Sequence, residues 1–211
     1  MLAGLVLLTG CGGDGDEPAV ELVIPRDTDA GASARPQVTL TVDNGAGVSG
    51  TVVITLVPEY APGTVANFLA YVNAGFYDGT IFHRYDSGFV LQGGGYAAPV
   101  AATDSPAHKD VNAPIPLEIK VSNVQGTVGM ARTNTLNSAT SEFFINLANN
   151  SGLDFNGGGY AAFGYISDMT FVSAMTQAPC VSAVITQNGQ FGCLPVPNLV
   201  ITSAVQTRPV P

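Results

Sequence analysis

The chain has 211 residues, 46% of them hydrophobic and 11% charged, with 25 glycines, 14 prolines and no tryptophan. That is enough for one domain with a sizeable core plus a tail, and the Gly and Pro content predicts many turns between short strands. Seven Lys and Arg against sixteen Asp and Glu give a formal charge of −9, which argues against nucleic acid as a partner and against electrostatic docking on anionic lipid.

Met1 to Leu8 reads MLAGLVLL, an apolar run too short to cross a bilayer as a helix. With Thr9, Gly10 and Cys11 behind it, it resembles the end of a bacterial lipoprotein signal, in which the cysteine is lipidated and becomes the mature amino terminus. The basic residues that open such a signal are missing, since the first is Arg26. The resemblance implies a lipid anchor at Cys11, in the bacterial cell envelope and facing the periplasm. Gly12 stands where some inner-membrane lipoproteins have aspartate, which favours the outer membrane. Residues 12–35 are rich in Gly, Asp, Ala and Pro and predict a flexible acidic tether, leaving 36–211 as the domain.

PQVTLTV alternates apolar and polar residues, DNGAG supplies an Asn-Gly turn, and SGTVVITLV follows, which predicts a β-hairpin. In APGTVANFLAYVNAG the period changes: Val65, Phe68, Leu69 and Val72 fall at helical spacing, between Pro62 at the first turn and Gly75 at the stop. Residues 80–92 return to strand, bounded by Gly79 and by Gly93 to Gly95, which reads as a bend at a sheet corner. Residues 97–116 carry four prolines and predict a loop. LEIKV, GTVGMAR, EFFINL and GYAAFGYI are further strands. Ser167 or Asp168 caps a second short helix, DMTFVSAMTQA, and after a turn-rich stretch LVITSAVQ is the last strand. Short strands that mostly follow one another predict a mainly all-β fold, a closed or nearly closed antiparallel barrel without exposed edges.

The usual catalytic machinery is missing from the sequence. The two histidines, His83 and His108, lack metal-ligand spacing, no GxSxG elbow occurs, and the glycine run is not followed by GK[ST]. His83, between Phe82 and Arg84, reads as a packed structural histidine. An enzyme built from this chain would use no cofactor, no metal and no nucleophile. If Cys11 carries lipid, Cys180 and Cys193 remain, and in an oxidising compartment they would pair as a disulfide, with two free thiols as the alternative.

One stretch is odd in so weakly charged a chain. FHRYDSGFVLQGGG sets Arg84 among aromatics, an amide and glycines. This pattern resembles a cyclophilin, a peptidyl-prolyl cis-trans isomerase. APGTVANFLAYVNAGFYDGTIFHR, GTVGMARTNTLNSATSEFFINLANN and GLDFNGGGYAAFGYI agree with that family in order and spacing, over roughly residues 36 to 206. The resemblance implies an eight-stranded antiparallel barrel capped by two short helices, with a proline site on its outer face. It implies Arg84 as the catalytic arginine and Gln92 as the glutamine that orients it. Phe89 and Phe144 would line the proline pocket, with Val90 and Leu153 as aliphatic walls. Ala131 and Arg132 would lie along the bound peptide, joined by Glu142 and Tyr160. Proline-containing polypeptides are the implied partners, and a monomer the implied state.

Four positions depart from the family pattern. Glu142 stands for glutamine in SEFFI, and its carboxylate is placed to pair with Arg84 or Arg132. Gly152 stands where an aromatic precedes Leu-Asp, Val90 replaces a methionine, and Asp86-Ser87-Gly88 replaces Ile-Pro-Gly. Two functions are therefore weighed: an isomerase that helps exported proteins fold, and a binding module that holds proline segments with little turnover.

Overall fold

The computed structural model describes residues 22–186 and 189–209, so the lipobox and the start of the tether lie outside the described residues. The hairpin forms as expected. β1 (Gln37–Asp43) and β2 (Ser49–Leu56) pair in register, and Asn44 Oδ1 closes the turn by accepting from the amides of Ala46 and Val48. β3 (Thr80–Asp86), β4 (Val90–Ala97), β5 (Thr127–Met130), β6 (Phe143–Asn146), β7 (Ala162–Tyr165) and β10 (Leu199–Arg208) complete a closed barrel. Its order is β1-β10-β3-β4-β6-β5-β7-β2, with every neighbour antiparallel. Closure leaves the barrel itself without a free strand edge among the described residues.

Alternation fills the barrel. Val38, Leu40 and Val42 of β1, Ile54 and Leu56 of β2, and Leu91, Phe143, Ile145 and Phe163 point inward and are buried. Helix α1 (Pro62–Asn73) starts at its proline and drops Phe68 onto this core, with its ring 5.6 Å from Phe143 and 5.0 Å from Phe163. Helix α2 (Thr170–Met175) is shorter than the periodicity predicts. Asp168 Oδ1 accepts from the Thr170 amide at its start, whereas Ser167 is turned to Asp27.

Four elements differ from the sequence reading. The strand predicted over 80–92 is two strands, β3 and β4, joined by a tight turn at Ser87-Gly88-Phe89, where Gly88 takes φ +68°. The glycine run lies inside β4, and the bend expected there is a bulge, because three residues, 94–96, stand opposite Ile81 alone. LEIKV is not a barrel strand. Leu117–Val121 has a single isolated bridge, Val121 with Val23, and Glu118 caps α1 instead. The turn-rich stretch contains a second, two-stranded sheet, β8 (Cys180–Thr186) and β9 (Gly189–Pro195), stapled by a Cys180–Cys193 disulfide with Cα atoms 5.5 Å apart.

Residues 22–35, within the expected tether, lie against the barrel. Leu22 is buried, and the buried Arg35 donates to Glu59 (2.7 Å), Asp29 (3.1 Å) and the Arg26 carbonyl (3.0 Å). Arg35 and Asp27 both contact the Tyr165 hydroxyl, which ties this segment to β7.

Candidate active site

A bulge sets up the site. Phe82 pairs with Gly93 but Arg84 pairs with Gln92, so His83 is an extra residue on β3. Strict alternation would send Arg84 inward with Phe82; the inserted residue turns it to the outer face. Gln92 in turn pairs with Phe144 on β6, and Phe144 with Gly129 on β5. Arg84, Gln92, Phe144 and Gly129 thus form one row across four strands on the outside of the barrel. Gly129 is part of the arrangement through its lack of a side chain, since a Cβ there would lie 2.5 Å from Phe144 Cζ.

Arg84 is held from two sides. Nη1 donates to Gln92 Oε1 at 3.1 Å and Nη2 pairs with Asp86, while the guanidinium carbon lies 5.9 Å from the centre of the Phe89 ring. Its side chain keeps 28% exposure, so the charge lies on the outer surface of the barrel and not in its core. Phe89 is fixed through its carbonyl, which accepts from the Leu147 amide and Asn150 Nδ2. Val90 shares the outer face of β4 with Gln92 and is buried. The Tyr160 ring meets Phe144 edge-on at 6.1 Å, and the Tyr160 amide donates to the carbonyl of Leu153, in the 3₁₀ turn Ser151–Asp154. Arg132 stacks on Tyr160 at 4.4 Å and donates to the carbonyls of Gly157, Gly159 and Thr133. β5 ends at Met130, yet the Ala131 amide still donates to the Glu142 carbonyl. Ala131, Arg132, Gln92 and Glu142 line a broad groove of about 1560 Å³ beside this row, with residues 105–111 as its far wall.

Glu142 does not pair with either arginine. Its Oε2 accepts from Gln92 Nε2 (2.7 Å) and lies 3.4 Å from His83 Nε2, while Oε1 lies 2.9 Å from His108 Nε2. Burial pushes its carboxyl up, but hydrogen bonds from His108, His83 and Gln92 outweigh that and hold it well below the usual carboxylate range. The carboxylate of Glu142 raises His108 in turn, against the opposing effect of burial. Burial, with Glu142 nearby, pushes the Tyr96 hydroxyl up to about 12.

Sequence reasoning passed over the support of this site. Asp154 is buried and accepts from Ser122 Oγ, the Asn123 amide and Asn123 Nδ2. Asn123 also donates to the Tyr160 carbonyl and accepts from Asn146, which accepts from Asn150. One polar network therefore fixes the loops that carry Phe89, Leu153 and Tyr160. The clustering of amides in NLANN is the signal that was available. His108 and Gly129 carried none, because their partners lie on other strands or loops, whereas Asp86 stands two residues from Arg84 on the same strand. Gly152, in the place of an aromatic, is exposed. Among the described residues no group of His, Cys, Asp or Glu is arranged to hold a metal ion, and no helix is long and apolar enough to cross a membrane.

The comparisons agree with this architecture. The family model described as cyclophilin type peptidyl-prolyl cis-trans isomerase/CLD matches residues 38–201. The peptidyl-prolyl cis-trans isomerase A of Dickeya dadantii is 41% identical over 159 residues, covering 74% of this chain and 79% of the relative. The isomerase B of Escherichia coli is 36% identical over 157 residues, 73% of this chain and 92% of that protein. The crystal structure of a Cryptosporidium parvum cyclophilin type peptidyl-prolyl cis-trans isomerase superposes with a TM-score of 0.62 at 22% identity, over 82% of this chain and 97% of its own.

Proposed function

The chain belongs to the cyclophilin-type peptidyl-prolyl cis-trans isomerases, and from that premise we propose how its own residues carry the reaction and on which proteins. The activity itself is isomerisation of X-Pro bonds in polypeptides. The bond resists rotation because the nitrogen lone pair is delocalised into the carbonyl, with a barrier of about 18–20 kcal/mol. Twisting it localises that pair on the prolyl nitrogen. Arg84 donates to this nitrogen as it becomes an acceptor, an interaction stronger in the twisted state than in either ground state. The observation that carries this reading is the outer row Arg84–Gln92–Phe144, which sets a fixed guanidinium beside aromatic walls.

Magnitudes divide the work. Isomerisation in about a millisecond instead of about 10–100 s needs roughly 10⁴–10⁵-fold, or about 6 kcal/mol. A hydrogen bond to a charged group supplies about 1.5–3 kcal/mol. The rest falls to the hollow of Phe89, Phe144, Leu153 and Val90, which holds the proline ring while the preceding chain turns. Ala131 and Arg132 guide the peptide backbone along the groove. The proposed clients are exported or envelope proteins, with the enzyme a monomer tethered through lipid at Cys11 and facing the periplasm. The leader MLAGLVLLTGC supports this, as does a Cys180–Cys193 disulfide, which fits an oxidising compartment.

The pairing of Arg84 with Asp86 favours a second reading, a module that binds proline segments with little turnover, because a carboxylate blunts the guanidinium. Exchange NMR on an Ala-Pro peptide, with wild type beside Arg84→Ala, separates the two. The enzyme reading expects a kcat loss of about 10²-fold with KM nearly constant; equal rates in the two proteins, at the uncatalysed level, would establish the module.

A further inference from the structure

We infer that Glu142 is a positioning residue for the isomerase reaction, and that a protonated His108 holds it there. The inference rests on the reading of Arg84 as the catalytic group. Gln92 presents its oxygen to Arg84 and its nitrogen to Glu142. An ionised carboxylate only accepts hydrogen bonds, so Glu142 permits one orientation of the Gln92 amide. The flipped amide would set NH₂ against a guanidinium that only donates. Glutamine at position 142 would accept either orientation. The departure from the family pattern therefore locks the acceptor that aims Arg84.

His108 supplies the other half. Nδ1 lies 2.8 Å from the Lys109 carbonyl and Nε2 lies 2.9 Å from Glu142 Oε1. Both neighbours accept, so only the imidazolium, with two N–H groups, satisfies both. Gly95 makes room for the pair: a Cβ there would lie 2.6 Å from Glu142 Oε1 and 2.7 Å from His108 Nε2. The groups facing Glu142 are His83 from β3, Gln92 and Tyr96 from β4, and His108 from the loop. Arg132 is committed to carbonyls of other loops, and the Lys109 ammonium to the Phe76 ring and carbonyl. Of the two imidazoles that face Glu142, His108 is the nearer, at 2.9 Å against 3.4 Å for the fully buried His83, and is open to solvent, so its deprotonation is the one that loosens Glu142 near neutral pH. It also anchors residues 105–111, the far wall of the groove, to the barrel.

The test is kcat and KM by exchange NMR on an Ala-Pro peptide between pH 5.5 and 9.5, for wild type, His108→Gln, Glu142→Gln and Glu142→Ala. Wild-type kcat/KM should fall about 3- to 10-fold as pH rises, the scale of one weakened charge-assisted bond. His108→Gln should be flat. Glu142→Gln should not show this fall and should keep at least about a third of the wild-type rate on the alkaline side, because its amide nitrogen can then donate to a neutral His108 while its oxygen accepts from Gln92. Glu142→Ala should lose about tenfold in kcat with KM within about twofold. If Glu142→Ala does not fold, ¹⁵N shifts of the wild-type His108 ring decide instead: both nitrogens should stay protonated above the ordinary pKa of about 6.5. Superimposable pH profiles for wild type and His108→Gln, or a neutral His108 at pH 6, would overturn the inference. Retained activity in Arg84→Ala would instead remove the reading beneath it, whatever position 142 does.

Discussion

Glu118→Ala tests how the barrel end is held. The residue before helix α1, Ala61, has only a methyl group and cannot cap the free amides, and Glu118 reaches across from the 117–121 segment to do so. It accepts from the Gly63 amide at 3.1 Å, the Thr64 amide at 2.8 Å and the Thr64 hydroxyl at 2.7 Å. Loss of a cap costs about 1 kcal/mol, and loss of a carboxylate at a helix N-terminus about 0.3–1 kcal/mol. Thr64 is fully buried, so its hydroxyl loses its acceptor where water is scarce, for about another 1 kcal/mol. The overlapping terms amount to about 2–3 kcal/mol, or about 4–12 °C in Tm for a domain of this size. Calorimetry or thermal circular dichroism reads this directly. Glu118→Gln keeps an acceptor and should fall between wild type and alanine. Measured well below Tm, kcat/KM should stay within about twofold, because Glu118 lies off the groove. A Tm drop of less than about 2 °C would refute the cap argument.

Asp86→Asn should raise kcat/KM by about 1.4- to fivefold in exchange NMR, since a partly exposed ion pair is worth only about 0.2–1 kcal/mol after solvent screening; a fall would mean that Asp86 aims Arg84 more than it blunts it. Replacing Cys180 and Cys193 by serine removes a bridge spanning 13 positions, worth at most about 3 kcal/mol in the chain-entropy model. Limited proteolysis should then cut within 181–195 first, with kcat/KM unchanged, and a loss of activity at full folding would mean that Leu194 of β9, packed against Ile81 of β3, helps to position Arg84. Glu142 has a folded-state pKa below its unfolded one, so its contribution to stability is present above about pH 4.3 and fades as pH falls further. His108 has a raised one, so its contribution is full below about pH 6.5 and fades as pH rises through the folded value. The stability gap between wild type and Glu142→Gln, from urea melts, should therefore be widest near pH 5–6 and narrow on both sides.

The sequence announced the barrel because its signals are local. PQVTLTV alternates at period 2, α1 has period 3.6 between a proline and a glycine, and DNGAG closes its own turn. The failures occur where a partner remote in sequence overrides a local pattern. LEIKV has strand composition, but Glu118 is committed to a helix terminus 54 residues away. β3 and β4 read as one run because Ser87-Gly88-Phe89 is short and ends in an aromatic. Arg35 looks like a lone charge in a Gly- and Asp-rich tail until Glu59 and Tyr165 are brought to it.

The site divides along the same line. Arg84, Gln92 and Phe144 were identifiable by motif, but the motif does not say why Arg84 faces outward; the extra residue at His83 does, and a bulge is visible only in the pairing. The expectation for Glu142 erred for a related reason. Opposite charges nearby in a groove suggest a pair, yet each arginine already has nearer acceptors: Asp86 and Gln92 for Arg84, and three carbonyls for Arg132. A carboxylate with no guanidinium within reach takes the donors that remain, and here these are Gln92 and two histidines. One of those histidines arrives on a loop that the sequence marks only by its prolines, over a glycine that clears its path. Removing that clearance is a direct check on the assignment. Gly95→Ala crowds both Glu142 Oε1 and His108 Nε2, so it should part the two, flatten the pH profile as His108→Gln does and lower kcat toward that of Glu142→Ala.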